Sequence, residues 1–136
     1  MIVADTSAMI ALMNADDQYH DAMLQWYEAD PEGWLIPWAV LPELDYMLLK
    51  IDARAERDFL SDLADARWTI EWSDARDLVR ACDLNERYRS LEFGLTDAIG
   101  MAVAERRKAD AIATLDLRHF GAAKLTTEPL LLPRDG

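Results

Sequence analysis

The chain opens with Met1-Ile2-Val3-Ala4-Asp5-Thr6-Ser7, an apolar run that ends in an acid and two hydroxyl residues. A continuous apolar run is typical of a short strand that is buried on both faces of a parallel sheet. We therefore predict a strand over residues 2–5 and a helix from Ala8 to about Met13, capped by Thr6-Ser7. Asp5 then ends the strand, at the edge where open parallel sheets bind ligands.

Short apolar segments alternate with helical segments along the rest of the chain. Further strands are predicted over residues 34–36, 68–72 and 111–115, with a short last strand at 124–126. Further helices are predicted over residues 17–30, 38–50 and 53–66, from a Ser73 cap to about Ser90, and over 97–108 after a Thr96 cap. This alternation predicts an α/β fold with a central, mainly parallel sheet. A length of 136 residues favours one domain, residues 1–136.

Composition excludes some classes of protein. With 51% hydrophobic residues the chain can bury an ordinary core, but no run reaches the roughly 18 apolar residues that span a bilayer. We find no secretory signal, and we expect the single Cys82 to be a buried, reduced thiol, so a cytoplasmic location is predicted. The net charge of −12 argues against non-specific binding to nucleic acid and suits a basic protein partner.

Four acids fall where a parallel sheet would direct side chains into one cleft. Asp5 and Asp116 each follow an apolar strand, and Asp97 follows Thr96 at the start of a helix. Glu43 lies in the first turns of the helix after the second strand. Asp45 is the alternative to Glu43 as the site acid of this helix, because the helical spacing does not distinguish between them. The other acids, Asp16, Asp17, Asp62, Asp65, Asp83 and Glu86, are expected on solvated helix faces.

Four ionised carboxylates in one cleft repel each other. Two unit charges about 4 Å apart cost roughly 4 kcal/mol at an effective dielectric constant of about 20. A counter-charge is therefore required, and the chain has no Cys–His set for zinc, so oxygen ligands favour a hard cation, Mg²⁺ or Mn²⁺. Such a cation would support hydrolysis of a phosphodiester bond, with Thr6 or Ser7 as a supporting hydroxyl.

The motifs around these acids resemble those of PIN-domain nucleases. The matching segments are Val3-Ala4-Asp5-Thr6-Ser7-Ala8, Pro42-Glu43-Leu44, Leu95-Thr96-Asp97-Ala98-Ile99 and Ala113-Thr114-Leu115-Asp116-Leu117-Arg118-His119-Phe120. Their order and spacing match along residues 1–121, and the length is similar to that of the VapC-like toxins of bacterial toxin–antitoxin pairs. Some members carry a further acid soon after the fourth, where this chain has Leu117, Arg118 and His119.

The resemblance implies a three-layer α/β/α fold and an endoribonuclease that depends on Mg²⁺ or Mn²⁺. It also implies a homodimer, inhibition by a cognate antitoxin, and catalytic and metal-binding roles for Asp5, Glu43, Asp97 and Asp116. The family pattern thereby selects Glu43 over Asp45. Thr6 or Ser7 would support the acids, with a slight preference for Ser7.

Two alternative functions stay open at this level. One is a PIN nuclease of RNA maturation without a toxin role. The other is a Mg²⁺-binding receiver-like domain without nuclease activity, although that class needs adjacent acids at the first strand and a lysine at the end of the last strand. Here Asp5 stands alone and Lys124 is not clearly placed. His119 and Arg118 are expected as a surface loop pair, and Arg106-Arg107-Lys108 as a solvated helix end.

Overall fold

In the computed structural model, which describes residues 1–136, five strands form a single sheet. They are β1 (Ile2–Ala4), β2 (Trp34–Pro37), β3 (Thr69–Glu71), β4 (Ala111–Ala113) and β5 (Leu130–Leu132). The order across the sheet is β3-β2-β1-β4-β5, and every neighbouring pair is parallel. The central strand β1 therefore lies directly beside β4, with Ile2 opposite Ala111 and Ala4 opposite Ala113.

Helices cover both faces of this sheet. They are α1 (Thr6–Met13), α2 (His20–Ala29), α3 (Val40–Ile51), α4 (Ala53–Ala64), α5 (Ala75–Arg87), α6 (Gly94–Arg106) and α7 (Leu117–Phe120), with a 3₁₀ turn at Arg89–Leu91. Helices α1 to α4 pack on one face around Met9, Met23 and Phe59, and α5 to α7 pack on the other around Leu84 and Ile99. The predicted three-layer α/β/α architecture is confirmed.

Strand β1 shows why its sequence lacks polar alternation. Successive side chains of a strand point to opposite faces of the sheet. Ile2 and Ala4 belong to the core on the α1 side, whereas Val3 belongs to the core on the α6 side. Because helices cover both faces, each position must be apolar.

The predicted last strand at residues 124–126 is wrong, and the sheet ends instead with β5. The backbone N–H of Lys124 donates to the Tyr88 hydroxyl, and that of Thr126 donates to the Glu105 carboxylate. These side chains take the donors that a sheet would use. Leu131 and Leu132 are buried and pair with β4.

Several helix starts differ from the sequence prediction. Helix α1 begins at Thr6, so Asp5 takes the cap position, and α6 begins at Gly94, two residues before Thr96. Asp74, not Ser73, caps α5, because its carboxylate accepts the Arg76 N–H while Asp77 accepts the Asp74 N–H in return.

Cys82 is exposed, contrary to the prediction of a buried thiol. It lies on the solvent side of α5, between Ala81 and Leu84, which face the core. No helix of the protein has the length and apolar character that crossing a membrane requires.

Candidate functional site

A cleft of about 440 Å³ lies at the carboxyl ends of β1 and β4. All four predicted acids line it, namely Asp5, Glu43, Asp97 and Asp116. Asp17 lines it as well, and Met47, Phe93 and Leu95 are among its apolar members. No lysine or arginine is among the lining residues, so the cleft is strongly negative.

Asp5 is the most deeply buried of these acids, with 6% of its surface exposed. Its Oδ2 accepts hydrogen bonds from the Ser7 hydroxyl at 2.8 Å and from the Thr114 hydroxyl at 2.9 Å. Burial raises the pKa of the Asp5 carboxyl, while the two hydroxyl donors oppose that shift and the nearby Glu43 adds to it. The two hydrogen bonds fix the carboxylate at the end of β1.

Of the two hydroxyls considered for support, Ser7 contacts Asp5 and Thr6 does not. The Ser7 Oγ also accepts the Leu115 N–H at 2.9 Å, so it joins α1 to the segment after β4. The Thr6 Oγ1 is buried and finds no hydrogen-bond partner.

Thr114 is a site residue that the sequence did not single out. Its hydroxyl donates to Asp5 and accepts the Asp116 N–H at 3.0 Å, which links the ends of the two central strands. A threonine directly after a strand is ordinary in a sequence, and only the pairing of β1 with β4 reveals its role.

Asp116 precedes the short helix α7 and caps it, because its Oδ1 accepts the His119 N–H at 3.1 Å. The His119 ring turns back into the site. Its Nδ1 lies 2.7 Å from the Asp97 Oδ2 and 3.1 Å from the Asp116 Oδ2. The expectation that His119 belongs to a surface loop pair with Arg118 is therefore wrong for His119, while Arg118 is exposed.

Asp97 lies in the first turn of α6 with 14% of its side chain exposed. Burial raises the pKa of the Asp97 carboxyl to about 6, and the charges of Asp5 and Asp116 add to the rise, while the contact with His119 opposes it. The site thus holds more negative charge than its own hydrogen bonds neutralise.

Glu43 and Asp45 point to different neighbours. Glu43 lies in the first turn of α3 and reaches the cleft. The carboxyl of Asp45 instead lies beside Glu56 of α4, and this proximity of two acids raises the pKa of Glu56. The helical spacing could not separate the two acids, but their contacts do.

Asp17 was expected on a solvated face, and it lies at the cleft instead. The segment between α1 and α2 carries it back over the site, where its Oδ1 accepts the Tyr19 N–H at 2.8 Å. Periodicity cannot detect such a position, because Asp17 lies outside both helices.

The donor chemistry of the cleft fits a divalent cation. Asp97, Asp116 and His119 each offer one ligand atom, and these atoms lie within 4.8 Å of one another. The rest of the donor set is carboxylate and hydroxyl oxygen, which suits a hard cation. Burial is the main cause of the raised pKa of Asp97, and the neighbouring Asp5 and Asp116 carboxylates add to it, so a bound cation would favour the ionised form of Asp97.

Known proteins resemble this chain in sequence and in fold. Ribonuclease VapC26 of Mycobacterium tuberculosis is 28% identical over 124 residues, which cover 90% of this chain and 92% of the relative. The crystal structure of M. tuberculosis VapC20, a toxin that cleaves the sarcin–ricin loop, matches with a TM-score of 0.73 at 23% identity, over 82% of this chain and 87% of that one. A toxin–antitoxin complex from Klebsiella pneumoniae matches with a TM-score of 0.70 at 20% identity, over 96% and 100%. The PIN-domain family model matches residues 2–125, and the chain therefore belongs to the PIN-domain family.

Proposed function

We propose that the protein is a metal-dependent endoribonuclease that hydrolyses phosphodiester bonds of RNA. The observation that carries the proposal is the convergence of Asp5, Glu43, Asp97 and Asp116 on one cleft without a lysine or arginine. Metal dependence is general for PIN domains. We propose Mg²⁺ or Mn²⁺ as the ion, because the donors are mainly oxygen atoms.

The four acids would hold the metal, which when bound supplies a polarised phosphoryl oxygen and an activated water. Asp5 would be the central ligand, since the hydroxyls of Ser7 and Thr114 fix its carboxylate. Glu43 and Asp97 would bind metal directly or through water, and Asp116 would complete the set or orient the attacking water. Without a cation, the negative charge of the cleft would repel the phosphate backbone of RNA.

The relatives support RNA as the substrate and a toxin–antitoxin role. VapC26 is a ribonuclease, VapC20 cleaves the sarcin–ricin loop, and the K. pneumoniae structure is a toxin–antitoxin complex. We infer that this protein is likewise a toxin that a cognate antitoxin inhibits, and that it is a homodimer in the cytoplasm. Residues 1–136 would form the single nuclease domain.

The receiver-like alternative is disfavoured by topology. Receiver domains of the flavodoxin-like class have the strand order 2-1-3-4-5. Here the order is 3-2-1-4-5, and no lysine lines the acidic cleft. A nuclease of RNA maturation has the same site, so the two roles are separated by the genes and partners of the protein. A small gene for a DNA-binding protein directly upstream would favour the toxin.

The test is RNA cleavage by the purified protein with Mn²⁺, compared with Asp5→Asn. We expect the wild type to cut RNA and chelation to stop it. Asp5→Asn should lower the rate at least about 100-fold, because the change removes a ligand charge and retains the side-chain shape. Asp58→Asn is the matched control, since Asp58 is an exposed acid of α4 and should leave the rate unchanged.

An inactive wild type with Mn²⁺, or an Asp5→Asn variant that cuts equally well, would remove the nuclease assignment. Circular dichroism of each variant would establish that the fold is intact.

A further inference from the structure

His119 joins two acids that come from different elements. Asp97 belongs to α6 and Asp116 caps α7, and the sequence separates His119 from Asp97 by 22 residues. The Nδ1 atom lies between the two Oδ2 atoms, at 2.7 Å from Asp97 and 3.1 Å from Asp116. The contact with Asp97 is a short hydrogen bond, and the contact with Asp116 lies at an ion-pair distance.

The ring is held in this place by its surroundings. The Phe93 ring packs edge-on against it, with 5.3 Å between the ring centroids. The His119 backbone N–H donates to the Asp116 Oδ1, so main chain and side chain of one residue contact the same carboxylate. Only 16% of the His119 side chain is exposed. This is a built contact and not a mobile surface group.

His119 is also the only basic side chain in contact with these two acids. The residues that line the cleft include no lysine or arginine. Without a donor between them, the carboxylates of Asp97 and Asp116 would repel and turn apart. Each acid gives one oxygen to the Nδ1 atom, and the Asp97 Oδ1 accepts no hydrogen bond from the protein.

We propose that His119 is a positioning residue of the metal site, whose Nδ1–H holds the Asp97 and Asp116 carboxylates at the spacing that a divalent cation needs. The proposal rests on the metal-dependent function proposed above. In this arrangement the imidazole contacts the carboxylates that bind the metal and does not bind the metal itself. Groups that hydrogen-bond to metal-binding carboxylates orient them, and their loss typically costs 10–100-fold in metal affinity.

Mn²⁺ binding without RNA tests this proposal, with free Mn²⁺ followed by electron paramagnetic resonance. We expect His119→Ala to weaken the Kd for Mn²⁺ about 10–100-fold. His119→Asn should restore part of the affinity, because its amide nitrogen is placed like Nδ1 and can donate. The control is His20→Ala, since His20 contacts the Ala11 carbonyl with its Nδ1 and lies outside the cleft. It should bind Mn²⁺ like the wild type.

A pulsed measurement of nitrogen coupling to Mn²⁺ in the wild type separates positioning from direct ligation. The proposal predicts no directly bound nitrogen, and a coupled histidine nitrogen would overturn it even if His119→Ala does not fold. An unchanged Kd in His119→Ala would also overturn it, provided that the wild type binds Mn²⁺. Failure of the wild type itself to bind Mn²⁺ would instead remove the proposed function.

Discussion

The ionised form of Asp97 is destabilised by its position in the site. Its carboxyl is largely withdrawn from water, and its neighbours Asp5 and Asp116 are acids as well. The pKa of Asp97 is therefore raised to about 6. At neutral pH the ionised group destabilises the metal-free protein, because the unfolded chain ionises the same group more easily.

The free energy of unfolding of the metal-free protein should therefore depend on pH between about 4 and 6. Protonated Asp97 contributes stability that is fully present below about pH 4 and is lost as the pH rises through about 6. Asp97→Asn should remove the part of this dependence that Asp97 contributes, leave the part that the raised pKa of Asp5 contributes, and stabilise the metal-free protein at pH 7 by about 1–3 kcal/mol. Urea unfolding with chelator at pH 5 and pH 7 measures both effects.

An Asp97→Asn protein that is less stable than the wild type at pH 7 would contradict this account. The control is the same unfolding measurement with Mn²⁺ in place of the chelator. Mn²⁺ should raise the free energy of unfolding of the wild type and have little effect on that of the variant.

The sequence predicts the four acids of the site better than the residues that hydrogen-bond to them. Asp5 and Asp116 each follow an apolar strand, so the local sequence pattern predicts that both lie at the same edge of the sheet. The roles of Thr114 and His119 cannot be predicted from local pattern. Thr114 contacts Asp5 across 109 residues of sequence, and His119 contacts Asp97 across 22. Their residue types are ordinary for the end of a strand and for a loop.

At the scale of elements, a network of ion pairs fastens β3 and α5 to the end of α6. The Arg106 guanidinium contacts Asp77 at 2.8 Å and Glu71 at 2.7 Å. Arg107 also contacts Glu71, at 2.6 Å. Asp77 is almost fully buried, so the expected solvated helix end is wrong for Arg106. Arg106 supports the layer that carries Asp97 and does not form a free surface for RNA.

Arg106→Met should lower the free energy of unfolding by about 3–5 kcal/mol. The change keeps most of the apolar stem but leaves the buried Asp77 carboxylate without its partner. Denaturant unfolding at pH 7 measures the loss. Arg76→Met is the matched control, because Arg76 pairs with Asp74 at the exposed start of α5, the helix that carries Asp77, and its loss should change the free energy of unfolding little. Equal effects of the two changes would show that burial does not decide the strength of these pairs.

The order and type of the elements follow from hydrophobic pattern, whereas their ends do not. Residues 124–126 have an acceptable strand composition, but side chains of Tyr88 and Glu105 bind their backbone N–H groups. The tail at Leu130–Leu132 becomes the last strand because it can bury leucines against β4. Such competition between partners is decided by tertiary structure.

At the scale of the whole molecule, the sheet order explains why acids from distant segments meet. The chain order alone does not place β4 beside β1, yet this pairing brings Asp116 to Asp5. Alternating strands and helices predict the class of fold and the ligand-binding edge. They do not specify which strands are neighbours, and only the structure shows that β4 lies beside β1.

The charge of the whole molecule constrains how RNA is selected. A net charge of −12 gives no general attraction for phosphate, and the cleft itself is acidic. The protein should therefore cut at few places, where the local shape or sequence of the RNA offers contacts beyond the backbone. Cleavage throughout the transcriptome would not fit this charge.

The most direct test of the account is the sequencing of RNA ends in cells after brief induction of the wild type or of Asp5→Asn. We predict a small set of new RNA ends in the wild type, at sites that share a local sequence or structure, and none of them in the variant. Identical RNA ends in both cultures, or no new ends from a folded wild-type protein, would contradict the claim that these four acids form a ribonuclease site.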